Sequence, residues 1–167
     1  PDAPAGRPAH VLGGPLTLRA NTKLFGVGRE IAEIRWHDSW RPAEGVAFML
    51  QTEDDREADT TLAFLTIHMR TVGGKVNKDG AFEFDRFGAI HWRAGRDSLI
   101  AAIKISKEYG GVEMDRTNPR DVVKFSGSGG GKHYSLLQHS PLALAAHPDF
   151  RVIRIEGTRE PLAFYGL

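Results

Sequence analysis

The chain has 167 residues, no cysteine, and 22 basic against 21 acidic side chains. That length fits one domain, the lack of cysteine excludes a disulfide framework or a thiolate metal site, and the balanced charge offers no single-sign field to recruit nucleic acid or an anionic membrane. Nineteen glycines and nine prolines demand frequent turns, which suits many short strands better than long helices.

Residues 1–9 are rich in Pro and Ala, with little to pack, and read as a linker or leading segment. From residue 10 onward, runs with a period of two recur. In AEIRWH, Ala32, Ile34 and Trp36 share one phase while Glu33, Arg35 and His37 share the other. RWHDSW adds His37 and Trp40 after Trp36. Trp36 falls in the inward phase and reads as a core tryptophan before an Asp-Ser turn. Trp40 and His37 are candidates to line a groove, Trp40 by stacking its apolar face on a sugar ring. QTEDDREADT carries Asp54, Asp55 and Asp59, but their spacing matches no EF-hand and an acidic solvated turn is the simpler reading.

LTIHMR sets Leu65, Ile67 and Met69 against Thr66, His68 and Arg70, and FEFD sets Phe82 and Phe84 against Glu83 and Asp85. Two carboxylates two residues apart on a strand leave the same face. Glycoside hydrolysis needs one carboxylic acid and one carboxylate about 5–9.5 Å apart, which outward neighbours can reach. The same residues also suit a solvated strand face with ordinary Glu/Asp–Arg pairs. AIHWRA places Ile90, Trp92 and Ala94 inward, with His91 and Arg93 outward, where they could hold the two carboxyls in different protonation states.

DSLIAAIKISKEYGG is ambiguous. Asp97 or Ser98 could cap a helix that stops at Gly110, yet Leu99, Ala101, Ile103 and Ile105 also alternate against Lys104 and Ser106, and the β-branched residues favour strand. VKFS and VIRIEG continue the alternation through Val123, Phe125, Ile153 and Ile155. SGSGGGKHYS reads as a flexible or tightly turning loop from which Lys132, His133 and Tyr134 could contact an acidic or polyhydroxylated ligand. Ser126 and His133 stand where a P-loop needs Gly and Ser or Thr, and Ile31 replaces the third glycine of a dinucleotide loop in GVGREI. His133, His139 and His147 are too loosely spaced for a zinc motif, so no cofactor is implied. SPLALAAHPD predicts one short helix, with Ser140 as cap, Pro141 in the first turn and Pro148 as the stop. The last run, PLAFYGL, reads as a strand with an open edge, which invites another chain. We therefore expect the chain to be a piece of a larger protein, or to self-associate or pair with a partner.

A strand–turn–strand pattern returns about every two dozen residues, a range in which solenoids occur. PLTLRANTKLFGVGREIAEIRW, with Asn-Thr between strands and Gly-x-Gly after the second, resembles the opening coils of right-handed parallel β-helices of the pectate-lyase superfamily. It is similar in particular to the glycoside-hydrolase-related group that includes exo-β-1,3-glucanases. HWRAGRDSLI resembles a later coil of the same kind, and the likeness extends over most of residues 11–167. It departs from the family in lacking an amphipathic helix before the first coil.

The resemblance implies an all-β, right-handed, single-stranded parallel β-helix over residues 10–167. It implies that Gly26 and Gly28 form a tight corner, with Asn21 bonding its own backbone in the preceding turn. It also implies export from the cell and a polysaccharide or oligosaccharide as ligand. The reading is then a glycoside hydrolase with Glu83 and Asp85 as its carboxyl pair, His91 and Arg93 orienting them, and Trp40, His37, Lys132 and Tyr134 binding substrate. A polysaccharide lyase, which would use Arg86, Arg93 and Lys104 against a uronate, and a non-catalytic carbohydrate-binding or structural segment are the alternatives.

Overall fold

A computed structural model describes residues 9–29, 31–36, 48–68, 88–106, 122–139 and 153–166, and among these there is no helix. Fifteen short strands follow one another. They are β1 (Ala9–Leu12), β2 (Leu16–Leu18), β3 (Lys23–Phe25), β4 (Glu33–Trp36), β5 (Phe48–Thr52), β6 (Thr61–Ala63), β7 (Thr66–His68), β8 (Gly88–Trp92), β9 (Leu99–Ala101), β10 (Lys104–Ser106), β11 (Val123–Ser126), β12 (Gly131–Tyr134), β13 (Leu137–His139), β14 (Ile153–Glu156) and β15 (Leu162–Tyr165). They form three five-stranded sheets: β1-β4-β7-β10-β13 (sheet A), β2-β5-β8-β11-β14 (sheet B) and β3-β6-β9-β12-β15 (sheet C). Every pairing is parallel. The chain thus visits sheets A, B and C in turn, five times over, and each strand bonds to the one three places further along.

This order explains the alternation. A strand inside such a round has a neighbour above and below, so only its two faces differ, one toward a shared core and one outward. The inward residues stack in register from round to round. In sheet C the column is Leu24, Leu62, Ile100, His133 and Phe164. In sheet A it includes Ile34, Ile67 and Ile105. In sheet B, Leu16, Leu50, Ile90, Val123 and Ile153 form one column, and Trp92 and Phe125 lead to Ile155 in the next. Leu62, Ile90, Trp92, Ile100, Ile105, Val123 and Phe125 are wholly buried in one continuous cluster. Ile155, on the last described round, is 55% exposed, with no strand among the described residues beyond β14 to cover it.

The corners carry the fold's special backbone. At the turn from sheet C to sheet A, Phe64, Ala102 and Ser135 adopt left-handed φ of 59°, 50° and 51°. Their amides donate to Ala101 O, Tyr134 O and Tyr165 O of the next round, at 3.0, 2.9 and 3.0 Å. The hydrogen-bond ladder therefore runs unbroken round the bend. Gly26 occupies the same position in the first round, donating to Ala63 O at 2.9 Å, and a Cβ there would run into the Phe64 carbonyl. Gly28 has no such constraint, its nearest neighbour being the Ile31 side chain at 3.4 Å, so the tight corner rests on Gly26 alone.

Asn21 does sit in a turn with a φ of 64°, but its Oδ1 accepts from the Asp59 amide of the next round at 2.9 Å rather than from its own backbone. DSLIAAIKIS is strand, as the β-branched residues argued, but in two pieces. Ile100 points inward on β9, the bend at Ala102 resets the phase, and Ile103 and Ile105 point inward beyond it, leaving Leu99 and Ala101 outward. The repeat is also longer than two dozen residues. It is 24 from Ala9 to Glu33, but 40 from Leu50 to Ile90 and 38 from Thr61 to Leu99. The helix expected at Ser140–Pro148 lies outside the described residues.

Candidate functional site

The connections are uneven in a way that marks one edge. Turns from sheet C to sheet A need as few as two residues, whereas the chain between β4 and β5 has 11 residues, between β7 and β8 19, between β10 and β11 16, and between β13 and β14 13. All four long connections lead from sheet A into sheet B. Long loops on a rigid stack are where binding residues gather in such architectures. His37 and Trp40 belong to the first of them and Glu83 and Asp85 to the second, so those four candidates lie outside the described residues, as do Met69, Arg70, Phe82, Phe84 and Arg86.

The outer face of sheet B begins where these connections end. One outward side chain per round is in register there: Thr17, Gln51, His91, Lys124 and Arg154. Parallel strands lie about 4.8 Å apart, so the row is a closely spaced polar ribbon running across the strands. Gln51 Nε2 donates to Thr17 Oγ1 at 3.2 Å. His91 Nε2 is 2.7 Å from Ser126 Oγ, and the His91 ring lies 5.0 Å from that of Phe48. Burial, reinforced by the nearby Arg93 and Lys124 cations, pushes the His91 pKa down to about 4. His91 is therefore a neutral imidazole at neutral pH. Lys124 Nζ contacts Glu156 at 2.8 Å and Arg154 Nε reaches the same carboxylate at 3.3 Å. The Lys124 hydrogen bond, then its charge and that of Arg154, hold the Glu156 carboxyl below its ordinary range.

Arg93 follows His91 but is tied to the round beneath. Its Nε and Nη2 donate to the Thr52 carbonyl at 3.2 and 2.9 Å, and its amide donates to Thr52 Oγ1 at 2.6 Å. Thr52 is buried and Arg93 half-buried, so the guanidinium both anchors the turn and leaves a cationic edge on the face. Among the described residues, Arg93, Lys124 and Arg154 stand around His91 and Glu156 against the Glu156 and Asp54 carboxylates, a small positive surplus.

Lys132 and Tyr134 are elsewhere. Both are exposed on β12 of sheet C, so the structure does not bring them together with His91 and Arg93 on one face. Tyr134 stacks on Tyr165 of the next round, ring centroids 4.7 Å apart and planes 11° from parallel. Reading the sequence for site residues missed Tyr165, although Tyr134 and Tyr165 each stand last in their strand and share a register.

His133, between them in sequence, points the other way. It is fully buried, with Nε2 donating to Gly130 O at 3.1 Å and Nδ1 accepting from the Ile100 amide at 3.2 Å. Phe125, Phe164 and Trp92 surround it at centroid distances of 4.9, 5.5 and 5.7 Å. Burial holds its pKa down to about 4 despite the Gly130 hydrogen bond, so it is a core residue, not a ligand contact. SGSGGGKHYS is a loop only in part: Ser126 ends β11, residues 127–130 make the tight turn, and Gly131–Tyr134 are strand β12. Side chains at Gly129, Gly130 and Gly131 would collide with backbone or neighbouring side chains of adjacent rounds.

The acidic run between β5 and β6 is built into corners. Asp54 Oδ1 accepts from the Ser128 amide at 2.9 Å and from Arg159 Nη2 at 2.8 Å. Burial opposes ionisation of Asp54, but these bonds outweigh it and lower its pKa. Asp55 caps its own turn through the Glu57 amide at 2.9 Å, and Asp59 pairs with Lys23 at 2.5 Å. Among the described residues no three His, Asp or Glu side chains converge on a point where a metal could sit. No protein-family model, curated protein or solved structure matches the chain.

Proposed function

We propose that the chain is a right-handed, single-stranded parallel β-helix that acts on polysaccharide at the outer face of sheet B, as a glycoside hydrolase of the exported, pectate-lyase-superfamily kind. The observation that carries this reading is the in-register ribbon Thr17–Gln51–His91–Lys124–Arg154, four of whose five strands each follow a long connection in the chain. A row of hydrogen-bonding groups in register suits an extended polyhydroxylated chain, which offers donors and acceptors at regular intervals. In this proposal Glu83 and Asp85 are the acid and the base or nucleophile, His91 and Arg93 orient them, and Trp40 and His37 hold the sugar.

The positive surplus from Arg93, Lys124 and Arg154 favours a second reading, a polysaccharide lyase. There the cations would neutralise a uronate carboxylate and ease removal of the neighbouring proton.

One assay on neutral glucans and polyuronates separates the readings. New reducing ends without ultraviolet absorbance mean hydrolysis, and an unsaturated, absorbing product means elimination. Absence of both, together with no retention of the chain in polysaccharide-loaded gels, removes the proposal. Asp85→Asn is expected to abolish turnover with the melting temperature nearly unchanged, and full activity in that variant takes Asp85 out of the mechanism.

A further inference from the structure

On the outer face of sheet B, His91 of β8 meets Ser126 of β11. Nε2 of the ring lies 2.7 Å from the hydroxyl oxygen, and both residues are half-buried, within reach of solvent. Neither supports the core, which lies on the opposite face of both strands. Ser98 and Ser128 differ in this respect. Both are 1% exposed, and their hydroxyls tie rounds together through Ala58 O and Arg159. Ser126 faces an imidazole instead.

We propose that Ser126 and His91 are the nucleophile and general base of an ester hydrolase, with an O-acylated polysaccharide on the sheet B ribbon as substrate. A serine hydroxyl is a poor nucleophile until a neutral base within hydrogen-bonding reach takes its proton. His91 meets both conditions. Burial, then the Arg93 and Lys124 cations, hold its pKa down to about 4 against the opposing pull of the Asp54 and Glu156 carboxylates. In the tautomer with the proton on Nδ1, Nε2 accepts the Ser126 O–H. The Phe48 ring, 5.0 Å away, packs the imidazole in place. This chemistry needs neither Glu83 nor Asp85. Only the choice of a polysaccharide as carrier of the ester rests on the proposed glycan site.

Ser126 Oγ attacks the acyl carbon as its proton moves to His91 Nε2, and the carbonyl π pair moves onto the carbonyl oxygen. Arg93 and Lys124, close enough to depress the His91 pKa, offset that negative charge. The pair returns as the bond from the acyl carbon to the sugar oxygen breaks, and the sugar leaves as an alcohol with the proton from Nε2. Water, deprotonated by the same nitrogen, then attacks acyl-Ser126. The carboxylic acid departs and the proton returns to Oγ. Water is the only co-reactant.

Treating the whole chain with 4-nitrophenyl acetate and with diisopropyl fluorophosphate tests the pair without any polysaccharide. Peptide mass mapping is expected to find the phosphoryl adduct on Ser126 and not on the buried Ser98 or Ser128. Ester hydrolysis should hold a plateau down to about pH 5 and fall as the pH passes through about 4, where His91 takes up a proton. Ser126→Ala and His91→Gln, with circular dichroism unchanged, should each lose at least about 100-fold in rate. No adduct on Ser126, or hydrolysis that persists in Ser126→Ala, overturns the proposal. So does a rate that already falls through pH 6.5, the ordinary histidine value, because another base is then at work. Acetate release from an O-acetylated glucan, measured beside chain cleavage, tests the substrate. Turnover of the small ester with no such release overturns the polysaccharide assignment. Acetate release without chain cleavage upholds the esterase and removes the glycoside hydrolase.

Discussion

His133 is the residue whose environment makes the clearest physical demand. Its imidazole is enclosed by three aromatic rings, yet it satisfies the Gly130 carbonyl and the Ile100 amide, so the neutral form is worth keeping and the cation is excluded. Unfolding releases it to an ordinary pKa of 6.5 from about 4. Above pH 6.5 both states are neutral and stability is complete. Between 6.5 and 4 the unfolded chain takes up a proton that the folded chain refuses, so stability falls with pH, by about 3 kcal/mol for this group. Below 4 the loss stops. His91, less deeply placed, adds to the same window. His133→Phe should lower stability at neutral pH by about 1–3 kcal/mol, through the orphaned Ile100 amide. It should also flatten the decline between pH 6.5 and 4, which His91 and, toward the acid end, the Asp54 and Glu156 carboxylates then sustain. Urea unfolding at a series of pH values reads both effects, and an unchanged slope would show that His133 is not the titrating group.

At the scale of elements, the bends set the limits. Ala102 takes a left-handed φ that costs an L-residue about 1–2 kcal/mol, against about 0.5–1 kcal/mol for the extra freedom of glycine in the unfolded chain. Ala102→Gly should therefore raise stability by about 0.5–1 kcal/mol. Gly131→Ala should do the reverse and cost at least about 2 kcal/mol, since φ is 106° and the new Cβ meets the Ser98 carbonyl. Thermal melts of the two variants should move in opposite directions.

The same bends explain what the sequence could and could not announce. Alternation within a strand is a direct consequence of burying one face, so Ile34, Ile67, Ile90, Trp92, Val123 and Phe125 were legible. Glycines that no side chain could replace, Gly26 and Gly131, were visible as turns. The left-handed Phe64, Ala102 and Ser135 carry no local signal. Their conformation is imposed by the rounds above and below, and that is why the phase change inside LIAAIKIS was read through as one strand. The repeat length was hidden for a related reason, because long connections from sheet A into sheet B change the spacing without disturbing the ladder. His91 and Arg93 were readable as outward, but that Lys132 and Tyr134 leave a different sheet depends on a corner between them and cannot be read from alternation alone.

For the molecule as a whole, stability is distributed along one axis. Each round touches only the rounds beside it, so its stability is its own plus two interfaces, and among the described residues the first and last rounds have one interface fewer. Exposed Ile155 marks that deficit, and Trp92 and Phe125, buried in the same column, mark its absence. Amide exchange should accordingly be slowest in β6, β8 and β9 and quicken toward β1–β3 and β14–β15. Trp92→Ala removes the largest buried side chain and its bond to Gly130 O, at a cost of about 3–5 kcal/mol. That loss should speed exchange in β5, β8 and β11 far more than in β1 or β15, because it must travel through intact rounds to reach the ends. Equal acceleration in every strand would show instead that the stack opens as a single cooperative unit.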